Sequence, residues 1–236
     1  MAEIIEVIRQ QLAENADEKT KESGKRFFKE EIQLYGVKSA TVTQTGNQAF
    51  KLIKDISKSQ IFDLCEELWR SGMMEESFIA CNWAYSIHNR YEPEDFAVFE
   101  KWVNEYVSNW ASCDGLCNHT IGSFLMRYQG YVEKMKTWSR SQNRWMKRAS
   151  AVSFIIPARK GLFKQEIFQI ADILLLDQDD MVQKGYGWML KSLADAYEDE
   201  VFMYVLGHRA TMPRTALRYA IEKMPEEKKR EAMKRV

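Results

Sequence analysis

Turn signals are scarce in this chain. Its 236 residues include only 11 glycines and 4 prolines. The one Asp-Gly pair, Asp114–Gly115, lies inside a helical pattern, and no Asn-Gly occurs between alternating runs, which argues against hairpins and sheets. No apolar run reaches the ~18 residues that a membrane-spanning helix needs. The opening stretch carries Glu3 and Glu6 among its first apolar residues, so it reads as an amphipathic helix and not as a signal peptide. The four cysteines, Cys65, Cys81, Cys113 and Cys117, are widely spread, as expected of free thiols in a reducing cytoplasm. Cys113 and Cys117 with His119 lack a fourth ligand nearby, so no metal is expected. Net charge is absent too: 34 basic residues balance 34 acidic ones. Any electrostatic case for a nucleic-acid or membrane partner must therefore rest on local clustering.

What is present is helical periodicity. "IFDLCEELW" puts Ile61, Leu64, Cys65 and Leu68 on one stripe, and "EIFQIADILLL" does the same with Ile167, Ile170, Ala171 and Leu174. Five segments can be superposed, starting at Met74, Trp110, Asn143, Asp179 and Met212, and so 36, 33, 36 and 33 residues apart. Each is followed by a second helical pattern. A period near 35 built from helix pairs predicts an all-α solenoid; without a tetratricopeptide signature, it is read as HEAT-like. Residues 1–236 form a single repeat domain in this reading. Such a stack curves, and corresponding helices would line its concave side.

Chemistry concentrates on those helices. In "NWASCD", Trp110 and Asp114 are four apart and share a helix face. Residues 134–165 hold nine basic residues (among them Arg144, Lys147 and Arg148) and no Asp or Glu. Acids collect instead in "DQDD" and "DAYEDE", so the neutral sum divides into patches, and a basic strip on a concave face suits a phosphate backbone. One repeat further on, "QKGYGWMLK" carries Lys184 and Trp188, with Gly185 and Gly187 in helix positions where glycine costs ~1 kcal/mol relative to Ala. Those glycines suit close helix packing or close approach of a ligand. Trp69, Trp83 and Trp102 are read as core.

The set "NWASCD", "NRWMKRA" and "VQKGYGWMLK", with the closing "MPRTALRYAIEKM", resembles the bacterial AlkD-like DNA alkylation repair proteins over roughly residues 20–225. The resemblance implies a right-handed stack of about six HEAT-like helix pairs cradling duplex DNA. It also implies a glycosylase that removes N3- and N7-alkylated purines without flipping the nucleotide out. The family's catalytic carboxylate matches Asp114, its cleft tryptophans match Trp110 and Trp188, and its phosphate-binding arginine matches Arg148. Arg144, Lys147, Lys184 and Arg214 are further candidates for DNA contact. No cofactor or metal is implied, and the protein is expected to act as a monomer on alkylated double-stranded DNA, in the cytoplasm at the nucleoid. The sequence departs from the family at Asp180 and Met181, where aromatic residues can occur, and at Phe27, where a tyrosine can. Branches that bind DNA without excising bases keep a second reading open, a non-catalytic HEAT-like protein on duplex or branched DNA. A protein-binding scaffold, the third, has no need of the basic strip.

Overall fold

The computed structural model describes residues 2–234. Those residues are all-α, and the one strand-like feature among them is an isolated bridge between Gln33 and Met73. The chain gathers into two compact units, residues 1–116 and 117–236.

The first unit holds α1 (Ala2–Glu14), α2 (Glu18–Lys25), α3 (Ser39–Ile53), α4 (Lys58–Arg70), α5 (Met74–Ser86), α6 (Asp95–Glu105) and α7 (Trp110–Gly115). Helix α4 starts on a capping box, in which Ser57 and Gln60 each satisfy the other's backbone N–H. Its predicted stripe of Ile61, Leu64, Cys65 and Leu68 is buried. Gly72, at φ 71°, turns the chain back so that α5 packs on α4. The core is aromatic, with Phe62, Phe99 and Trp102 meeting edge to face and Trp83 donating its indole N–H to the Gly46 carbonyl at 2.8 Å.

After a π-helical turn, Leu116–Ile121, the second unit holds α8 (Gly122–Arg127), α9 (Val132–Trp138), α10 (Arg144–Val152), α11 (Ile155–Arg159), α12 (Lys164–Leu174), α13 (Asp180–His208), α14 (Arg214–Ile221) and α15 (Glu226–Met233). Helix α13 is the hub, packing against α10, α11, α12 and α14. It is broken at Tyr197 (φ −138°, ψ 57°), whose hydroxyl donates to the Gly161 carbonyl. The predicted stripe Ile167, Ile170, Ala171 and Leu174 is buried on α12.

The repeat is real and runs through both units. Helices α3, α5, α7, α10, α13 and α14 begin at Ser39, Met74, Trp110, Arg144, Asp180 and Arg214, at intervals of 35, 36, 34, 36 and 34 residues. The predicted starts fall within two positions of these, and Ser39 adds a repeat that superposition of the five segments missed. Three starts are capped alike: the side chains of Asn109, Asn143 and Asp179 each accept a hydrogen bond from the first turn of the helix that follows. Side chains also reach one repeat along, as in Ser77 to Ser112, Lys101 to Glu66, Arg144 to Asp179 and Lys164 to Glu200. Within each unit, consecutive repeats are thus stitched together, as in a helical-repeat stack.

Candidate active site

In the first unit, α7 begins where Asn109, itself buried, accepts the Ser112 N–H at 2.9 Å. One face of this short helix turns inward: Ser112 and Cys113 are buried, and Ser112 shares a 2.8 Å hydrogen bond with Ser77 on α5. The other face carries Trp110 and Asp114, both only partly buried. The i,i+4 pair therefore lies on the partly exposed face of α7. Trp110 does not stand alone. Phe28, just beyond α2, stacks on its indole with ring centroids 5.3 Å apart and planes inclined by 20°. Phe27, the position that departs from the family, is 73% exposed, and the contact falls to its neighbour Phe28. Two adjacent phenylalanines in a segment without periodicity gave no signal to choose between them.

The tryptophans sort cleanly. Trp69, Trp83, Trp102, Trp138 and Trp145 are buried, and the two of the seven left partly exposed are Trp110 and Trp188.

In the second unit, α10 and α13 bring Arg144, Lys147, Arg148, Lys184 and Trp188 onto packed helices. Arg148 is 5% exposed, and its guanidinium donates to the Met181 carbonyl. Gly185 faces that seat: a Cβ there would lie 3.3 Å from the Arg148 Cγ, which a shift of a few tenths of an ångström would relieve. Gly187 serves helix packing: its Cβ would fall 2.7 Å from both the Ala216 carbonyl oxygen and the Tyr219 Cβ on α14. Between them Tyr186 is fully buried, its hydroxyl on the Leu175 carbonyl, and burial pushes its ionisation far up. Arg214, exposed at the start of α14, donates to the Met233 carbonyl.

The separation of charge into patches does not survive folding. Arg144 pairs with Asp179 at 2.8 Å and approaches Asp180 at 3.7 Å, Lys147 pairs with Asp177, and Arg159 and Lys164 reach Asp195 and Glu200. Lys184 pairs with Asp180 at 3.2 Å. The acids of "DQDD" and "DAYEDE" lie one repeat after the bases, and the fold brings one repeat against the next. Lys134, Arg140 and Lys160 remain exposed without a carboxylate at ion-pair distance among the described residues.

No group of histidine, cysteine and carboxylate side chains suited to a metal occurs among the described residues, and all four cysteines are buried free thiols. No helix among them is long and apolar enough to cross a membrane.

The model of the DNA alkylation repair enzyme family matches residues 8–224. A solved structure described as a predicted DNA alkylation repair enzyme from Enterococcus faecalis superposes with a TM-score of 0.80, covering 90% of this chain and 98% of that one at 14% identity. At that identity the likeness speaks for the fold. No curated protein matches the chain in sequence. The family match extends from α1 to the end of α14, over nearly all the elements described above, and on that ground the chain belongs to the DNA alkylation repair enzyme family.

Proposed function

We propose that this protein is a DNA glycosylase that hydrolyses the N-glycosidic bond of N3- and N7-alkylated purines in duplex DNA, on a nucleotide that stays in the helix. The observation that carries this reading is the pattern of burial. Five tryptophans are core, while Trp110 and Trp188 are only partly buried, and Trp110 sits one helical turn from the partly exposed Asp114.

The chemistry asks little more. Alkylation at N3 or N7 makes the purine a cation, so it leaves with the electrons of the C1′–N9 bond and needs no general acid. What remains is a deoxyribosyl cation, which a carboxylate stabilises, and a water that adds to C1′ and gives up a proton. Asp114 is assigned both tasks, electrostatic stabiliser and acceptor of that proton. Indole faces attract cations by ~0.5–2 kcal/mol depending on solvation, the role given to Trp110 and Trp188. Arg214, with Arg144, Lys147 and Lys184 once phosphate displaces their carboxylate partners, is assigned to phosphates, which set register without reading sequence; Arg148, 5% exposed and held by the Met181 carbonyl, would have to leave that seat to join them. The protein works as a monomer without cofactor, and the abasic site it leaves is a substrate for base excision repair.

The test is incubation of the protein with methylated duplex DNA. Release of free 3-methyladenine and 7-methylguanine is the expected result. Tight duplex binding with no base released would instead establish the non-catalytic DNA-binding reading.

A further inference from the structure

Phe28 faces Trp110 at the head of a segment, residues 29–38, that forms no helix. Such a segment must find partners for its backbone N–H groups outside itself. Three consecutive ones find a single carboxylate. Glu75, on the first turn of α5 and 3% exposed, accepts the N–H of Tyr35 at 3.1 Å on one oxygen. Its other oxygen accepts those of Gly36 at 2.8 Å and Val37 at 3.1 Å. The curl that aims the three at one point needs Gly36, whose φ is +92° and whose Cβ would lie 2.6 Å from the Asp17 carbonyl oxygen. The Gly36 carbonyl in turn accepts the N–H of Asp17, the N-cap of α2, and Phe28 lies just past the other end of that helix.

The neighbouring carboxylate has a different duty. Glu76 pairs with Arg9 at 3.3 Å and accepts the Tyr35 hydroxyl at 2.7 Å. Glu75 has no cation at ion-pair distance among the described residues; its charge is met by backbone dipoles alone. Two positions further along α5, Ser77 holds Ser112 of α7, the helix that carries Trp110. One turn of α5 thus grips both partners of the aromatic stack, Ser77 the tryptophan helix and Glu75 the segment leading to Phe28.

We propose that Glu75 is a positioning residue, whose carboxylate fastens the 35–37 curl and so sets Phe28 against Trp110. On the glycosylase reading, this fixes the indole that meets the cationic nucleotide. Glutamine in its place keeps the shape but offers one acceptor oxygen. Its NH2 group must then face either the Tyr35 N–H or the Gly36 and Val37 pair, and the curl loosens.

The test reads Trp110 directly, without DNA. Its indole N–H resonance is assigned by its disappearance in Trp110→Phe and is followed in the wild type, Phe28→Ala, Glu75→Gln and the double variant. Removing the Phe28 ring takes away its ring-current shift. Glu75→Gln is expected to move the signal toward the Phe28→Ala position, and the double variant to sit where Phe28→Ala alone sits. A folded Glu75→Gln protein with its Trp110 signal at the wild-type position overturns the proposal. So does a double variant displaced from Phe28→Ala as far as Glu75→Gln is from wild type, since the two residues would then act independently. Should Glu75→Gln fail to fold, Glu75→Asp, which keeps the charge and withdraws it by one methylene, is read in the same way. Excision measured alongside should fall non-additively in the same variants. A wild type that excises nothing overturns the glycosylase reading and leaves the resonance as the test of Glu75.

Discussion

Two glycines on α13, two residues apart, should respond to alanine with opposite signs. In an exposed helix interior Gly→Ala gains ~1 kcal/mol from propensity. At Gly187 the new methyl would lie 2.7 Å from the Ala216 carbonyl oxygen and from the Tyr219 Cβ, with the Ala216 Cα at 3.1 Å. Two of these three are backbone atoms of α14, so relief requires moving a helix. Overpacking of this kind costs ~1–3 kcal/mol, and the top of that range applies where backbone must yield. Set against the propensity gain, Gly187→Ala should destabilise by ~1–2 kcal/mol, or ~2–8 °C in melting temperature for a chain of this size. At Gly185 the nearest atom belongs to a side chain and not to backbone, the Arg148 Cγ at 3.3 Å, which need give by only a few tenths of an ångström. Gly185→Ala should therefore be neutral or stabilising by up to ~1 kcal/mol. Thermal and denaturant unfolding of the two variants beside wild type decides the matter. A Gly187→Ala protein as stable as wild type, or more stable than Gly185→Ala, would refute the packing argument.

Charge supplies two further predictions. Asp180 lies 3.2 Å from Lys184 and 3.7 Å from Arg144, so Asp180→Asn should tighten duplex binding and steepen the slope of log K against log salt by up to ~1. Titration at several salt concentrations checks this, and weaker binding with an unchanged slope would contradict it. Burial works to raise Glu66, but bonds from Lys101 at 2.5 Å and Tyr106 at 3.1 Å, with the Lys101 and Arg70 charges, outweigh it and hold its pKa below the ordinary 4.5. A carboxylate depressed on folding contributes stability that is present above its unfolded pKa and lost as pH falls through its folded one. The wild type should therefore melt above Glu66→Gln at neutral pH, and the gap should close below the ordinary carboxylate value of 4.5. A gap that persists in acid would assign the bonds no part in it.

The fold could be read from spacing because helix periodicity and the repeat length are both local patterns. The stripes on α4 and α12 are buried as the apolar spacing required, and the repeat starts fall within two residues of the helix starts. Trp69, Trp83 and Trp102 are buried as expected, whereas Trp110 and Trp188 stand out in the sequence mainly through the family resemblance. Charge pairing is not legible within a short window of sequence, because Arg144 meets Asp179 and Lys164 meets Glu200 at separations of 35 and 36. The repeat period applied to charges would have found both. The Phe28 stack and the Glu75 anchor had no such rule: they depend on a non-helical segment whose path is set by backbone hydrogen bonds to a residue 38 to 40 positions away.

The central claim, that Asp114 carries the excision step, is tested most directly by comparing Asp114→Asn with wild type on methylated duplex DNA, base release and duplex affinity being measured together. The substitution keeps the shape and removes the negative charge opposite the developing sugar cation. Groups of this kind are worth on the order of 10²–10³ in rate. The account predicts that excision falls by about that factor while affinity stays equal or rises slightly, since a carboxylate is removed from the face of a polyanion. Release of methylated purines at the wild-type rate would contradict it.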